Sequence, residues 1–271
     1  MLLARVAVAL VGIPLIVALA LRGGIAFLVL VVLISVLAAW ELGGLFRLAG
    51  SRPHRVLALL VAAASPVAAY LATKSGRGDA ALPAALPVVA VALAAPIASL
   101  LRHGEGRRPL ADVAATAWMA IYAGWLPAHL VLLSGLGVRW ALYAIVLTWI
   151  LDTGAYAIGR VIGRHRLAPR VSPGKTWEGA AGGTMLAAAA AIAFRGWFKG
   201  ELSVAESLIM GIAVAVAGIT GDLAESLLKR DAGVKDASGL LPGHGGILDR
   251  FDSLFFTGPA VYYLARIVAR S

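Results

Sequence analysis

Long apolar runs dominate the chain and alternate with short stretches rich in Arg, Gly and Pro. A helix that crosses the hydrocarbon core of a bilayer needs about 20 mostly apolar residues, and most of these runs reach that length. The pattern therefore predicts an all-α, polytopic integral membrane protein with about nine transmembrane helices. The predicted segments are Leu3–Leu21, Gly24–Phe46, Val56–Thr73, Leu82–Leu101, Leu110–Leu133, Val138–Ile158, Gly179–Phe198, Leu202–Ala224 and Ser253–Val268.

Two of the nine segments are irregular, and the first has a second interpretation. Three prolines interrupt the fourth segment, and the ninth is short and contains Pro259. Membrane helices tolerate proline when neighbouring groups supply hydrogen-bond partners. The first segment carries Arg5 and then Ala18-Leu19-Ala20, which imitates a signal-peptide cleavage site. Because eight further apolar segments follow, a retained first helix is favoured over a cleaved signal peptide.

The composition indicates that lipid, rather than water, surrounds most of the chain. Of the 271 residues, 61% are hydrophobic and 14% are charged; a soluble domain has roughly 45–50% and 25%. The chain has no cysteine, which excludes disulfides and cysteine-based zinc sites. No internal repeat of about 20–50 residues is visible, although the two halves of a transporter would be expected to show one.

The formal net charge is +10, and the basic residues stand mostly in short loops between apolar segments. No basic stretch carries the interleaved aromatic residues that stack on bases, which argues against nucleic acid as a partner. Sixteen of the 24 Lys and Arg residues fall on the side that holds the N-terminus and the loops after even-numbered segments. The positive-inside rule places that side in the cytoplasm. Two long loops supply most of the excess, and catalysis is an alternative reason for their charge.

These two loops, Gly159–Glu178 and Glu225–Asp252, are denser in charge, Gly and Pro than the others. We therefore divide the chain into two regions. Residues 1–150 form an N-terminal set of transmembrane helices, about five plus the start of the sixth. Residues 151–271 form a C-terminal catalytic transmembrane region with cytoplasmic motif loops.

The densest polar pattern begins where the eighth apolar segment ends. Asp222, Glu225, Ser226 and Lys229 are spaced i, i+3, i+4 and i+7, so they share one face of a helix. Acidic residues at the end of a membrane helix are costly unless they have partners or a function. The alternative is a solvated helix end in which Glu225 and Lys229 form an ordinary i, i+4 ion pair.

A Gly- and Pro-rich loop separates this stripe from the last apolar segment. Five Gly or Pro residues fall between Gly239 and Gly246, and such backbone wraps a ligand closely and aims N–H groups at it. Asp249 and Asp252 then stand at i and i+3 at the start of the last segment. Mg²⁺ binds carboxylate oxygens and substrate phosphates. If the last two helices pack as a hairpin, Asp222 and Asp249 would converge on one ion.

The earlier loop contains Gly174-Lys175-Thr176, which imitates the end of a phosphate-binding P-loop. That motif needs a Gly five residues before Gly174, where this chain has Pro169, and it needs a preceding buried strand. We therefore reject a P-loop. A basic turn that opens a helix still suits a phosphate, because helix N-termini attract anions.

Three further polar residues each have two interpretations. Asp152 lies inside the sixth apolar segment, where it has a function or pairs with Arg160. Glu41 lies near the end of the second segment, where a structural partner is the favoured role. His244 is a zinc ligand only in principle, because no Cys and no second His accompany it in its loop.

The residues of the last loop resemble the diagnostic pattern of the phosphatidate cytidylyltransferases, also called CDP-diacylglycerol synthases. The pattern is carried by Ser226, Leu228, Lys229, Arg230, Lys235, Asp236, Ser238, Leu241, Pro242, His244, Gly245, Gly246, Ile247, Asp249, Arg250, Phe251 and Asp252. Upstream, Asp152–Tyr156 and Ser172–Gly179 are similar to two further motifs of this family. The resemblance covers roughly Asp152 to the C-terminus, and the first 150 residues match only as apolar helices.

The resemblance implies an all-helical membrane enzyme that forms a homodimer and uses Mg²⁺, with a monovalent cation such as K⁺ as a further cofactor. Its implied reaction is CTP plus phosphatidate giving CDP-diacylglycerol plus pyrophosphate. The implied partners are CTP, phosphatidate and membrane lipid, without nucleic acid. The implied location is the bacterial inner (plasma) membrane, with the active site facing the cytoplasm.

The resemblance also assigns roles to individual residues. Asp222 and Asp249 are the expected metal ligands. The expected catalytic residues are Asp222, Glu225, Lys229, Arg230, Asp249 and Asp252. The expected substrate-binding residues are Ser172, Lys175, Thr176, Ser226, Lys235, Asp236, His244, Gly245, Gly246 and Arg250.

Two other classes of protein share some of these features. A transporter or channel would place its charged residues near the bilayer midplane on broken helices, whereas here they cluster where loops meet helices. A membrane kinase, or another CDP-dependent lipid transferase, is the second alternative. The two-aspartate helical motif of the CDP-alcohol transferases is not found in this sequence.

Overall fold

The computed structural model describes residues 2–76, 80–101, 108–198, 202–240 and 245–268, and these are almost entirely helical. The α-helices are α1 (Leu2–Arg22), α2 (Gly24–Leu48), α3 (Arg55–Ser75), α4 (Ala81–Leu100), α5 (Pro109–Ala120), α6 (Leu126–Leu136), α7 (Val138–Ile162), α8 (Trp177–Ala193), α9 (Val204–Asp231) and α10 (Leu248–Val268). Two short strands, β1 (Arg166–Ala168) and β2 (Ser172–Thr176), complete the regular structure.

The predicted all-α membrane fold is confirmed, and each predicted apolar segment lies mainly within helical structure. The helix α9 ends at Asp231 rather than at the predicted Ala224, and α10 begins at Leu248 rather than at the predicted Ser253. Within the described residues, six helical stretches are long and apolar enough to cross a bilayer: Gly24–Leu48, Arg55–Ser75, Ala81–Leu100, Pro109–Leu136, Val138–Ile162 and Val204–Asp231. The count of nine transmembrane helices therefore stays a prediction. The helix α8 has only 17 residues before it tightens into a 3₁₀ turn, Phe194–Phe198.

A π-helical turn, Ile121–Trp125, joins α5 to α6 within the stretch predicted as the fifth segment. Pro127 has no N–H, so the regular helical hydrogen bond to the carbonyl four residues earlier is missing. Pro127 therefore gives a local reason for the altered turn. The ring Nδ1 of His129 lies 2.9 Å from the carbonyl oxygen of Trp125, which adds a side-chain contact at the end of this turn. A Cβ at Gly124 would lie 3.2 Å from the carbonyl oxygen of Val61, so glycine lets this turn pack closely on α3.

The chain forms two compact units, of which the first comprises Met1–Gly135 and Leu228–Phe251. In this unit, the loop between α2 and α3 is fixed by polar side chains of α4 and α5. The N–H of Arg52 donates to Asp112 at 2.5 Å, and the N–H of His54 donates to the Thr116 hydroxyl at 2.8 Å. The His54 ring shares a 2.7 Å hydrogen bond with Ser99. These contacts hold α3, α4 and α5 together at the loop end.

The second unit comprises Leu136–Leu227 and Asp252–Ser271. Its helices approach closely because small residues line their contacts. A Cβ at Gly183 would lie 2.8 Å from the carbonyl oxygen of Leu151, where α8 meets α7. The hydroxyls of Thr148 and Thr257 are 2.7 Å apart, which joins α7 to α10. The division of the chain near residue 150 concerns function and stays a prediction.

The loop between α7 and α8 contains a structure that the sequence did not predict, an antiparallel ribbon of β1 and β2. The hydroxyl of Thr176, at the end of the ribbon, accepts the N–H of Gly179 and caps α8. The carboxylate of Glu178 accepts the N–H groups of Arg164 and His165 and lies 2.6 Å from Nδ1 of His165. The hydrogen bond from the His165 ring is the main cause that lowers the pKa of Glu178 to about 2. The ribbon is thereby anchored to the start of α8.

Candidate active site

Three carboxylates of the second unit converge at the junction of α9 and α10. Asp222 and Glu225 lie on α9, and Asp252 lies near the start of α10. One carboxylate oxygen of each residue lies within 4.8 Å of the other two. Glu225 is 1% exposed and Asp252 is 9% exposed. Like charges this close and this shielded from water repel one another unless a cation or a proton compensates them.

The sequence explains how α9 and α10 come so close. A Cβ at Gly221 would lie 2.6 Å from the carbonyl oxygen of Asp252, so a larger residue would separate the helices. One turn earlier, a Cβ at Gly218 would lie 2.6 Å from a methyl group of Leu151 on α7. The i, i+3 spacing then places Asp222 and Glu225 on the same face of α9.

Lys175, from strand β2, brings a positive charge to this acidic cluster. Its Nζ lies 2.6 Å from Oδ2 of Asp222. On the same carboxylate, the hydroxyl of Ser226 donates a longer hydrogen bond of 3.4 Å to Oδ1. Asp152 of α7 lies nearby, because the hydroxyl of Ser253 donates to its Oδ1 at 3.4 Å. The cluster thus gathers residues from the motifs around Asp152, around Lys175 and around Asp222.

The donor set of the acidic cluster fits a divalent cation. Hard cations such as Mg²⁺ take oxygen ligands, bind through one or two carboxylates, and keep positions for water and substrate phosphates. The cluster supplies one carboxylate oxygen each from Asp222, Glu225 and Asp252, and these oxygens lie within 4.8 Å of one another. The cluster is thus compatible with a divalent metal.

Asp249, in the first unit, has different surroundings. Its Oδ1 lies 2.6 Å from Nζ of Lys229, and both side chains are largely buried, at 4% and 12% exposure. Its Oδ2 accepts the N–H groups of Ala237 at 2.9 Å and Gly246 at 2.7 Å. Gly245 has a φ of 79°, and a Cβ there would lie 2.7 Å from Oδ2. This carboxylate therefore holds the described parts of the loop between α9 and α10, here called the motif loop, in a backbone conformation that favours glycine at position 245.

A second buried carboxylate of the first unit holds the same loop. Glu41 of α2 is 1% exposed. Its Oε1 accepts the hydroxyl of Ser238 at 2.6 Å and the N–H of Ile247 at 3.0 Å, and its Oε2 accepts the N–H of Leu248 at 2.7 Å. The sequence favoured a structural partner for Glu41. It carried no signal for partners that stand about 200 positions later in the chain.

The other predicted site residues differ in their surroundings. Ser172 and Thr176 lie in β2, and Thr176 is buried as the cap of α8. The guanidinium of Arg230 donates to the carbonyl oxygen of Val234 at 3.2 Å. Three further predicted residues are exposed: Lys235, Asp236 and Arg250. His244 lies outside the described residues, and its predicted role, like the others, stays a prediction.

Asp152 and Arg160 were predicted as a possible structural pair. The guanidinium of Arg160 donates to the hydroxyl of Tyr156, one turn earlier on α7, at 3.0 Å. Asp152 faces Ser253 of α10 instead. The functional interpretation of Asp152 stays a prediction.

The profile of the cytidylyltransferase family matches residues 3–268. A phosphatidate cytidylyltransferase of Haemophilus influenzae is 44% identical over 131 residues, which is 47% of this chain and 46% of the relative. One from Bacillus subtilis is 40% identical over 156 residues, 56% of this chain and 58% of the relative. An uncharacterized Escherichia coli protein, YnbB, is 42% identical over 130 residues, 48% of this chain and 43% of the relative. The chain thus spans about half the length of the curated relatives it matches.

Proposed function

The chain belongs to the cytidylyltransferase family, and from this membership we propose that it transfers CMP from CTP to phosphatidate. The products are CDP-diacylglycerol, a precursor in phospholipid biosynthesis, and pyrophosphate. The observation that carries the proposal is the acidic cluster of Asp222, Glu225 and Asp252 with Lys175 beside it. The named relatives from Haemophilus influenzae and Bacillus subtilis support the choice of phosphatidate as acceptor.

The position of the cluster along its helices suits one water-soluble and one lipid substrate. Asp222 and Glu225 stand in the last third of α9, after its apolar stretch, and Asp252 stands near the start of α10. CTP reaches such a position from water, and the phosphate of a membrane lipid lies at the same level of the interface. We propose that the acidic cluster faces the cytoplasm and that the protein lies in the bacterial inner membrane. We also propose that it forms a homodimer.

In the proposed reaction, an oxygen of the phosphatidate phosphate attacks the α-phosphorus of CTP in line with the leaving group. A bond forms between this oxygen and the α-phosphorus, and the bond from the α-phosphorus to the α–β bridging oxygen breaks. Pyrophosphate leaves with the electron pair. The attacking phosphate is already an anion at neutral pH, so neither a general base nor a covalent enzyme intermediate is needed.

The chemical problem is to bring two anions together, and the chain offers both kinds of charge for it. Asp222, Glu225 and Asp252 would hold Mg²⁺, which when bound neutralises phosphate charge. Asp249 stays a predicted ligand, and K⁺ stays a predicted additional cofactor. Four basic side chains would hold the substrate and product phosphates: Lys175, Lys229, Arg230 and Arg250. Ser172 and Ser226 would add hydrogen bonds.

The deciding experiment uses purified protein in liposomes with phosphatidate, Mg²⁺ and CTP labelled in the cytidine. Label that moves into the organic phase is counted, with and without EDTA and with ATP as a competitor. We expect transfer that needs Mg²⁺, stops in EDTA and is unaffected by ATP. No transfer from a folded sample would contradict the proposal.

A matched pair of variants ties the reaction to the acidic cluster. Asp222→Asn removes a cluster carboxylate, whereas Asp231→Asn makes the same chemical change at an exposed position of the same helix. We expect the first variant to lose transfer and the second to retain it. Equal transfer rates in both variants would contradict a role of the acidic cluster in the reaction.

A further inference from the structure

Glu41 lies in the N-terminal half of the chain, outside every motif that carried the family resemblance. Its carboxylate is nevertheless engaged by three donors of the motif loop, from Ser238, Ile247 and Leu248. All three contacts and Glu41 itself belong to the first unit. A carboxylate ion is an acceptor only, and each of these partners donates to it. Both oxygens of the Glu41 side chain therefore act as acceptors for this loop.

The two backbone donors stand at the N-terminal end of α10, which begins at Leu248. The first N–H groups of a helix have no acceptor within the helix, and a negative charge there interacts favourably with the helix dipole. Capping of this kind is usually done by a residue just before the helix. Here Ile247 precedes the helix and has no acceptor side chain, so Glu41 of α2 supplies the carboxylate.

Glu41 and Asp249 together fix three consecutive backbone N–H groups. Gly246 donates to Asp249, and Ile247 and Leu248 donate to Glu41. A Cβ at Gly246 would lie 2.5 Å from Oε1 of Glu41, so this close seating requires glycine. A shift of this backbone would move Gly246 relative to Asp249 and alter the orientation of the carboxylate that faces Lys229.

We propose that Glu41 is a positioning residue for the transfer reaction. It holds the backbone from Gly246 to Leu248, and through this backbone it sets the orientation of Asp249 and Lys229. This inference rests on the proposed function for its kinetic consequence, and its structural consequence is measurable without any substrate. Glu41 touches neither substrate nor metal in this role.

The test compares Glu41→Gln with a matched control, Asp112→Asn. The glutamine keeps the size of the side chain but replaces one acceptor oxygen with an NH₂ group. This NH₂ group is a donor and would face a donor of the motif loop, so a hydrogen bond is lost. Asp112 is also a buried carboxylate of the first unit that accepts a backbone N–H, from Arg52, but it lies outside the motif loop. Residues that orient a ligand or a catalytic group typically contribute about 10- to 100-fold to activity.

We therefore expect Glu41→Gln to lower kcat by about 10- to 100-fold with little change in the KM for CTP. Ser238→Ala removes one of the three donors and leaves the carboxylate, so its loss should be smaller. Asp112→Asn should lower the thermal midpoint and keep kcat. If Glu41→Gln keeps the wild-type kcat, or if both variants lose activity only in proportion to their unfolded fraction, the positioning role is refuted.

A second readout separates this inference from the proposed reaction. Hydrogen exchange of the peptide that contains Gly246–Leu248 is measured in the wild type, Glu41→Gln and Asp112→Asn, without substrate. Faster exchange in Glu41→Gln alone is the expected result. Unchanged exchange would overturn the proposal for Glu41, whatever reaction the enzyme catalyses. A wild type without transfer activity, together with the expected exchange, would refute the reaction alone.

Discussion

The two groups of carboxylates in this protein have opposite surroundings. In the acidic cluster, Asp222, Glu225 and Asp252 face one another, with Lys175 on one of them. In the motif loop, Glu41 and Asp249 are met by N–H, hydroxyl and ammonium donors. The like charges of the first group repel one another, which a cation or a proton would relieve, whereas the second group accepts hydrogen bonds and stabilises backbone. Burial of a carboxylate alone therefore does not identify a metal site. The identity of its neighbours does.

The largest effect that would sharpen this contrast is expected for Asp252→Asn. Loss of a carboxylate that we propose as a metal ligand should lower kcat by more than the roughly 10- to 100-fold typical of residues that only orient ligands. Without metal, the same variant should be at least as stable as the wild type, because one of three repelling charges is gone. Activity and the thermal midpoint in EDTA are the measurements. A marked loss of stability in EDTA would show that the cluster is a structural network instead.

Asp249→Asn should lose both activity and stability. Breaking a buried ion pair by removing one partner costs about 3–5 kcal/mol, because Lys229 keeps its charge without the carboxylate. The measurement is the free energy of unfolding, together with that of Lys229→Met and the double variant. We expect the double variant to be less destabilised than the two single effects added together. Additive effects would contradict the ion pair as the source of stability.

Gly245→Ala should have an intermediate effect. The positive φ of Gly245 disfavours any side chain, and the new Cβ would press on Asp249. A strained backbone position of this kind costs on the order of 1–3 kcal/mol. Gly239→Ala is the control in the same loop, since a Cβ there would meet no atom of the described residues within 4 Å. Equal thermal midpoints for the two variants would contradict the claim that the backbone conformation at Gly245 disfavours a side chain.

The smallest effect concerns Glu178, whose carboxylate is satisfied like that of Glu41 but stands at the surface. Its pKa lies near 2 instead of the ordinary 4.5, so its contribution to stability is present above about 4.5 and is lost as pH falls towards 2. The difference in thermal midpoint between wild type and Glu178→Gln should be small at pH 7 and vanish near pH 2. A difference in thermal midpoint that grows as the pH falls would contradict this prediction.

The sequence predicted the helices well because nearly every one is a long apolar run, and lipid-facing helices need little else. It predicted the stripe of Asp222, Glu225 and Ser226 because their spacing matches the helical period. It missed the ribbon of β1 and β2, since Ser172–Thr176 contains Pro and Gly and lacks the apolar alternation typical of a strand. The family resemblance, and not periodicity, gave Asp252 its place beside Asp222.

Glu41 shows the limit of reasoning from sequence alone. An isolated acid near the end of an apolar helix has many possible partners, and no local spacing connects it with Ser238 or Leu248. Only the folded chain brings α2 to the motif loop of its unit. The same holds for the closeness of α9 and α10, which depends on Gly221 having no side chain at the carbonyl of Asp252.

The contacts of Glu41 also predict how the chain will behave when it is expressed in fragments. A fragment that begins near residue 150 would contain every recognisable motif and would still lack the acceptor for the amides of Ile247 and Leu248. We therefore expect that the C-terminal half, which carries the motifs, does not reach its native conformation without the N-terminal half. Two separately expressed fragments, cut between α6 and α7, would have to reassociate before the C-terminal one could adopt its working conformation.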